Sequence, residues 1–167
     1  MSDEPIHPGT RIGHVHLKVS DLERSVKFYT EVMGFEVMSR YGSQAAFLAA
    51  GDYHHHIGLN TWHSKGGEPA PVDTAGLYHF AILLPSRKEL ARTFKRLLDH
   101  DWPIDGASDH LVSEAIYLRD PDDNGIEIYA DRPKEQWPME GDEIQMASLP
   151  LDIENLMAEL EPEGAES

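Results

Sequence analysis

At 167 residues, with no cysteine and a formal charge of −16, the chain is long enough to bury a core without disulfides, and any metal it holds must be ligated by His, Asp or Glu. The negative balance argues against a nucleic-acid partner, and no apolar run approaches the roughly 20 residues that span a bilayer, so no membrane partner is expected. Met1-Ser2-Asp3-Glu4-Pro5 lacks a basic, then apolar, then small-residue signal pattern, which makes a cytoplasmic location the expectation.

From the amino end, Gly13-His14-Val15-His16-Leu17-Lys18-Val19 alternates apolar and polar side chains, the period of a half-buried strand, and a strand is expected over 12–19. Ser20 and Glu23 have the spacing of a capping box. Leu22, Val26, Tyr29, Val32 and Met33 follow at helical spacing, with Gly34 placed to end the helix. Strand character follows at about 35–41, 44–50 and 54–60, with turn signals at Gly42-Ser43 and Gly51-Asp52. A Gly- and Pro-rich linker, Ser64 to Gly76, leads to a second series. Tyr78-His79-Phe80-Ala81-Ile82-Leu83-Leu84 reads as a strand, Ser86 and Glu89 form a second box, and Leu90, Phe94, Leu97 and Leu98 mark a helix. Three further strands are expected at 102–106, 112–119 and 125–130, the last preceded by the turn Asp120 to Gly125. Beyond Asp131 a strapped loop runs to Trp137 and Pro138. Ile153, Leu156, Met157 and Leu160 then form a short amphipathic helix within 152–160, closed by Pro162 and Gly164. Residues 131–167 carry 11 acidic and 2 basic side chains, the composition of a solvated acidic tail.

The two series are one unit repeated. A shift of 65 superposes His14 on His79, Val15 on Phe80 and Leu17 on Ile82. A shift of 69 superposes Phe47 on Ile116, Ile57 on Ile126, Gly58 on Glu127 and Leu59 on Ile128. The expected fold is α+β, two βαβββ repeats forming a curled mixed sheet around a metal cleft, with a C-terminal tail and short helix. The domain is expected over 10–132, with repeat one at about 10–62 and repeat two at about 77–132, and the tail over 133–167. Alternation puts Val15, Leu17 and Val19 on the face that covers the helix, and His14 and His16 on the other. By the same rule Glu127 and Tyr129 face away from Ile126 and Ile128, and His79 away from Phe80. Two imidazoles and a carboxylate drawn together by duplication make a metal site with open positions. Gly58 stands where a symmetric site would have a fourth ligand, and leaves space instead. The run His54-His55-His56 offers a general base or acid at neutral pH, although neighbours on a strand cannot all serve one face. His110 and Tyr117 are candidates to hydrogen-bond around the ligands. Trp62, Phe47 and Tyr41, with His16 beside His14, are candidates to contact a substrate.

Three motifs carry a family resemblance: Gly13-His14-Val-x-Leu-x-Val-x-Asp21-Leu-x-x-Ser25-x-x-Phe28-Tyr29 ending in Gly34-Phe35, then Tyr78-His79-Phe-Ala, then Asp120-Pro-Asp-x-Asn-Gly125-Ile-Glu127-Ile-Tyr129. Over about residues 10–132 the chain resembles the vicinal oxygen chelate superfamily, which holds glyoxalase I, fosfomycin-resistance proteins, epimerases and type I extradiol dioxygenases. The resemblance implies metal ligands at His14, His79 and Glu127. His-His55-x-Ile-Gly-Leu is similar to the extradiol strand that carries the catalytic base, which implies that role for His55, with His54 or His56 as alternatives. Tyr117 and His110 are similar to the tyrosine and the additional histidine of those active sites. The implied activity is ring cleavage of a small aromatic diol by O2 on Fe(II), with Mn(II) or another divalent metal as alternatives. A glyoxalase-like lyase or isomerase and a small-molecule-binding resistance protein are the rival readings. The resemblance, with the apolar face of the tail helix, also implies a homodimer.

Overall fold

The computed structural model describes residues 4–161, which form two compact units: residues up to Thr30 with Gly34–Gly67, and Glu31–Met33 with the chain from Glu68 onward. Unit one holds β1 (Val15–Lys18), α1 (Leu22–Lys27), β2 (Glu36–Tyr41), β3 (Ala45–Ala49) and β4 (Ile57–Asn60). Its sheet has the order β1-β4-β3-β2, with β1 parallel to β4 and the other neighbours antiparallel. Unit two holds β5 (Phe80–Leu83), α2 (Arg87–Asp99), β6 (Ile104–Asp109), β7 (Ser113–Arg119) and β8 (Gly125–Asp131), again with a parallel first pair, β5 on β8. Val15 faces Ile57 in the first parallel pair and Phe80 faces Ile126 in the second, so the offsets of 65 and 69 are also the offsets of the sheet register. The architecture is α+β, curled mixed sheets with few helices.

Each sheet buries one face under its helix. In unit two, Leu90, Ala91, Phe94 and Leu97 of α2 are buried, and α2 packs on β8, where Ile126 and Ile128 alternate with the half-buried Glu127 and Tyr129. Each such Leu, Ile or Phe contributes about 1.5–3 kcal/mol on leaving water. Ser86 caps α2 by accepting from the Glu89 N–H at 3.2 Å, as its box spacing expects. Ser86→Ala should cost about 1 kcal/mol in chemical denaturation, since it strands a helix-terminal donor.

The first box is different. Asp21, not Ser20, caps α1, its carboxylate accepting from Arg24 N–H at 3.0 Å. The Ser20 hydroxyl accepts from Arg24 Nη2, and Glu23 is drawn to Arg40 at 2.5 Å instead of reaching back. The helix also stops early. Residues Phe28–Val32 form a wider π-type turn, where the Thr30 hydroxyl donates to the Val26 and Lys27 carbonyls, a competition that loosens the α ladder. Gly34 then turns the chain at φ 88°.

The strand expected at 54–60 begins only at Ile57. His54 to His56 lie on the loop before it, closed by Tyr53 N–H to the Gly51 carbonyl and His56 N–H to the Leu48 carbonyl. The tail holds more structure than its composition suggested. β9 (Met139–Glu140) and β10 (Glu143–Ile144) pair as a hairpin, and β11 (Leu149–Pro150) adds an antiparallel fifth strand to β6. α3 (Ile153–Ala158) packs on α2 with Leu156 fully buried. Arg87 joins them, reaching Glu114 at 2.7 Å, Glu159 at 2.8 Å and Asn155 at 2.9 Å. Of the apolar face on which the homodimer expectation leaned, Leu156 is buried within unit two, while Ile153, Met157 and Leu160 stay part-exposed. Pro162 and Gly164, expected to close this helix, lie outside the described residues. No helix among the described residues is long and apolar enough to cross a membrane.

Candidate functional site

In unit two, four of the expected residues form a continuous chain of contacts. His79 precedes β5, and its Nε2 stands 2.9 Å from Glu127 Oε2 on the parallel neighbour β8. Glu127 is delivered by the Asp120–Asn124 turn. The buried Asp120 carboxylate accepts from the Asp122 and Asn124 backbone N–H groups and from Asn124 Nδ2, each at 2.9 Å. Tyr117, opposite Glu127 on β7, directs its hydroxyl to Glu127 Oε1 at 3.2 Å. His110 Nε2 stands 2.6 Å from that hydroxyl, and His110 Nδ1 stands 2.7 Å from the Ala147 carbonyl in the tail. A cavity of about 570 Å³ opens beside this row, walled by Tyr78, His79, Ser108, His110, Tyr117 and Ser148 among others. Burial first, then the Glu127 charge and hydrogen bond, push the Tyr117 hydroxyl up to about 12, so it is a phenol at neutral pH. Tyr129 is raised likewise, by burial and by Asp131 and Glu127.

The donor chemistry suits a divalent ion. An imidazole nitrogen and a carboxylate oxygen meet at one point, and the second carboxylate oxygen is held by a phenol, the outer hydrogen bond that orients metal ligands. His14 belongs to unit one. Among the described residues, no group of three or more His, Asp or Glu side chains is arranged to hold a metal ion.

In unit one, imidazoles gather around the start of β1. The His14 ring lies 4.4 Å from that of His55, which also packs on Phe47 at 5.1 Å. His54 Nδ1 meets His55 Nδ1 at 2.7 Å, while His56 Nδ1 accepts from Ala50 N–H. Burial, then the charges of His14, His54, His16 and His56, hold the His55 imidazole below the usual histidine range. The loop placement removes the alternation problem, since off a strand His55 is free to turn toward His14. His16 packs on Phe47 at 5.8 Å and Trp62 at 5.6 Å, and its titration is lowered by burial and by His14. Tyr41 is exposed on β2. Gly58 pairs with His16 as Glu127 pairs with Ala81, so the repeat equivalence holds in register. A Cβ on Gly58 would lie 2.9 Å from the His16 ring, so that ring fills the side of Gly58 where a fourth ligand would begin.

Two contributors escaped sequence reasoning. The Ala147 carbonyl carries no side-chain signal at all, and Ser148, whose hydroxyl reaches Ser108 at 3.3 Å, reads as one more tail serine.

The chain is 45% identical over 157 residues to catechol-2,3-dioxygenase of Bacillus subtilis (strain 168), covering 92% of this chain and 53% of that one. It is 31% identical over 133 residues to the manganese-dependent 2,3-dihydroxybiphenyl 1,2-dioxygenase of Geobacillus genomosp. 3, covering 77% and 39%. The chain thus spans about half the length of the first relative and two fifths of the second. A glyoxalase/dioxygenase crystal structure from Nostoc punctiforme shares the fold with a TM-score of 0.63 at 18% identity, over 80% of this chain and 100% of that one. The model of the Glyoxalase/Bleomycin resistance protein/Dioxygenase superfamily matches residues 11–128, and the chain belongs to that superfamily.

Proposed function

We propose that this protein is an extradiol dioxygenase that opens a small catechol-type ring with O2. The observation that carries the reading is the row His79, Glu127, Tyr117, His110, a ligand pair backed by a phenol and an imidazole. The 45% identity to a protein named catechol-2,3-dioxygenase supports the same chemistry. The proposed metal is iron(II), with manganese(II) as the alternative that metal analysis decides, and the proposed ligands are His14, His79 and Glu127. Such a metal supplies Lewis acidity and open positions for a diol and O2.

The chain's own groups do the rest. His79 offers Nε2, and Glu127 offers Oε2 while Tyr117 fixes its other oxygen. His55, kept neutral by its surroundings, is the proposed acceptor of a catechol hydroxyl proton. Tyr117, a phenol throughout the neutral range, is a donor toward a substrate oxygen, with His110 behind it to take or return its proton. Phe47, Trp62 and His16 are proposed to contact the ring, and Tyr41, exposed on the edge strand, is left out. A lyase of the glyoxalase kind is disfavoured by Gly58 and the His16 ring beside it. The proposed assembly is a homodimer, read directly as the mass in light scattering.

The test is anaerobic purification, loading with iron(II), and O2 uptake on adding catechol, with the ring-opened product as second readout. Oxygen uptake absent with both iron(II) and manganese(II) would refute the reading. Tyr117→Phe should keep the fold, because the ring packing is unchanged, and lower ring cleavage by about 10- to 100-fold through loss of the hydroxyl that meets both His110 and Glu127. Unchanged turnover in that variant would remove Tyr117 from the machinery.

A further inference from the structure

The His110 imidazole is gripped from a direction that the superfamily match over 11–128 does not reach. A backbone carbonyl only accepts hydrogen bonds, so the 2.7 Å approach of His110 Nδ1 to the Ala147 carbonyl requires a proton on Nδ1. In the neutral ring Nε2 is then a bare acceptor, and it meets the Tyr117 hydroxyl at 2.6 Å. Tyr117 has one proton for two claimants, His110 Nε2 and Glu127 Oε1 at 3.2 Å, and the shorter approach is to the imidazole. The tail is not resting there by chance. β11 pairs with β6 through Leu149 opposite Asp109 and Pro150 opposite Ser108, Ser148 reaches Ser108 at 3.3 Å, and Ala147 N–H returns to the His110 carbonyl. His110 directly follows β6, so the strand that the tail extends is the strand that leads into the histidine. Downstream, α3 is tied to α2 through Arg87, which anchors the far end of the same segment.

We propose that the tail segment Ala147–Pro150 is a positioning element of the active site, its Ala147 carbonyl fixing His110 in the Nδ1–H tautomer so that Nε2 is presented to Tyr117 as a proton acceptor. Ala147 touches no reacting atom in this scheme and acts through His110. The catalytic part of the proposal rests on the dioxygenase reading, whereas the tautomer does not depend on it.

The experiment uses full-length protein labelled with nitrogen-15 at histidine, and long-range proton–nitrogen correlation spectra that distinguish the two ring nitrogens. His110 should show a protonated Nδ1 and a bare Nε2, both in the natural protein and in Tyr117→Phe, because the tail and not the tyrosine sets the tautomer. Deleting Ala147 alone should abolish the fixed pattern. It should lower kcat for catechol-dependent O2 uptake by about 10- to 100-fold, with KM and metal content nearly unchanged. A proton on Nε2 alone in the natural protein would overturn the proposal, as would a deletion variant with undiminished kcat. Should the deletion fail to fold, the spectra of the natural protein and of Tyr117→Phe still decide it. Absence of ring cleavage in the natural protein would count against the dioxygenase reading, and the nitrogen pattern would still decide the role of the tail.

Discussion

Glu127→Ala protein is expected to lose its metal, with affinity reduced by more than the roughly 100-fold that marks the upper end for outer hydrogen-bonding partners. The side chain is the carboxylate on which the unit-two chemistry converges, taking His79 on one oxygen and Tyr117 on the other. Its removal leaves an imidazole and a phenol that cannot replace a charged oxygen donor for a hard divalent ion. The fold should survive. Ile126 and Ile128 keep their burial, and the two lost contacts at a partly exposed position cost about 1–3 kcal/mol. Metal analysis after gel filtration, beside a denaturation curve, separates the two effects. His79→Ala should behave in the same way, and His16→Ala, whose ring packs on Phe47 and Trp62, should keep its metal. Full metal occupancy in Glu127→Ala would end the ligand assignment.

Much of this was legible in the sequence because duplication writes itself twice. Two series, each a histidine, a strand, a helix and a return strand, recur at offsets of 65 and 69, and the structure pairs Gly58 with His16 and Glu127 with Ala81 at those same offsets. The parts that were not legible depend on competition between local groups. Ser20 and Asp21 are both good helix caps, and only the folded positions of Arg24 and Arg40 decide between them. The run Tyr53 to His56 has the apolar-polar content of a strand end, yet the Tyr53 ring stacks on His54 at 4.1 Å and on His56 at 4.7 Å, holding a compact loop. The tail strand β11 is two residues long, and the contact that Ala147 makes with His110 just before it is through a main-chain oxygen, so no periodicity or side-chain type announces either.

Gly125 is a glycine for a reason that the turn signal Asp120 to Gly125 does not convey. Left-handed backbone in this turn falls at Asp123, at φ 61°, and Gly125 is not among the residues of positive φ. What Gly125 supplies is room. A Cβ there would lie 2.3 Å from the Tyr78 carbonyl oxygen and 3.1 Å from His79 Cβ. The first of these is main chain and cannot swing aside, so Gly125→Ala must push the start of β5 off β8. Overpacking typically costs about 1–3 kcal/mol, and a clash with backbone belongs at or above the upper end. The displaced residues are Tyr78 and His79, so the same methyl group should pull His79 Nε2 away from Glu127 and weaken metal retention together with stability. Gly106→Ala is the control. Nothing stands within 4 Å of its added Cβ, and its denaturation midpoint should stay within about 0.5 kcal/mol of the natural protein. Urea titration at constant m-value and metal analysis on both variants make the check. A Gly125→Ala protein with the natural midpoint and full metal would mean that β5 and β8 do not approach so closely at the end where His79 is held.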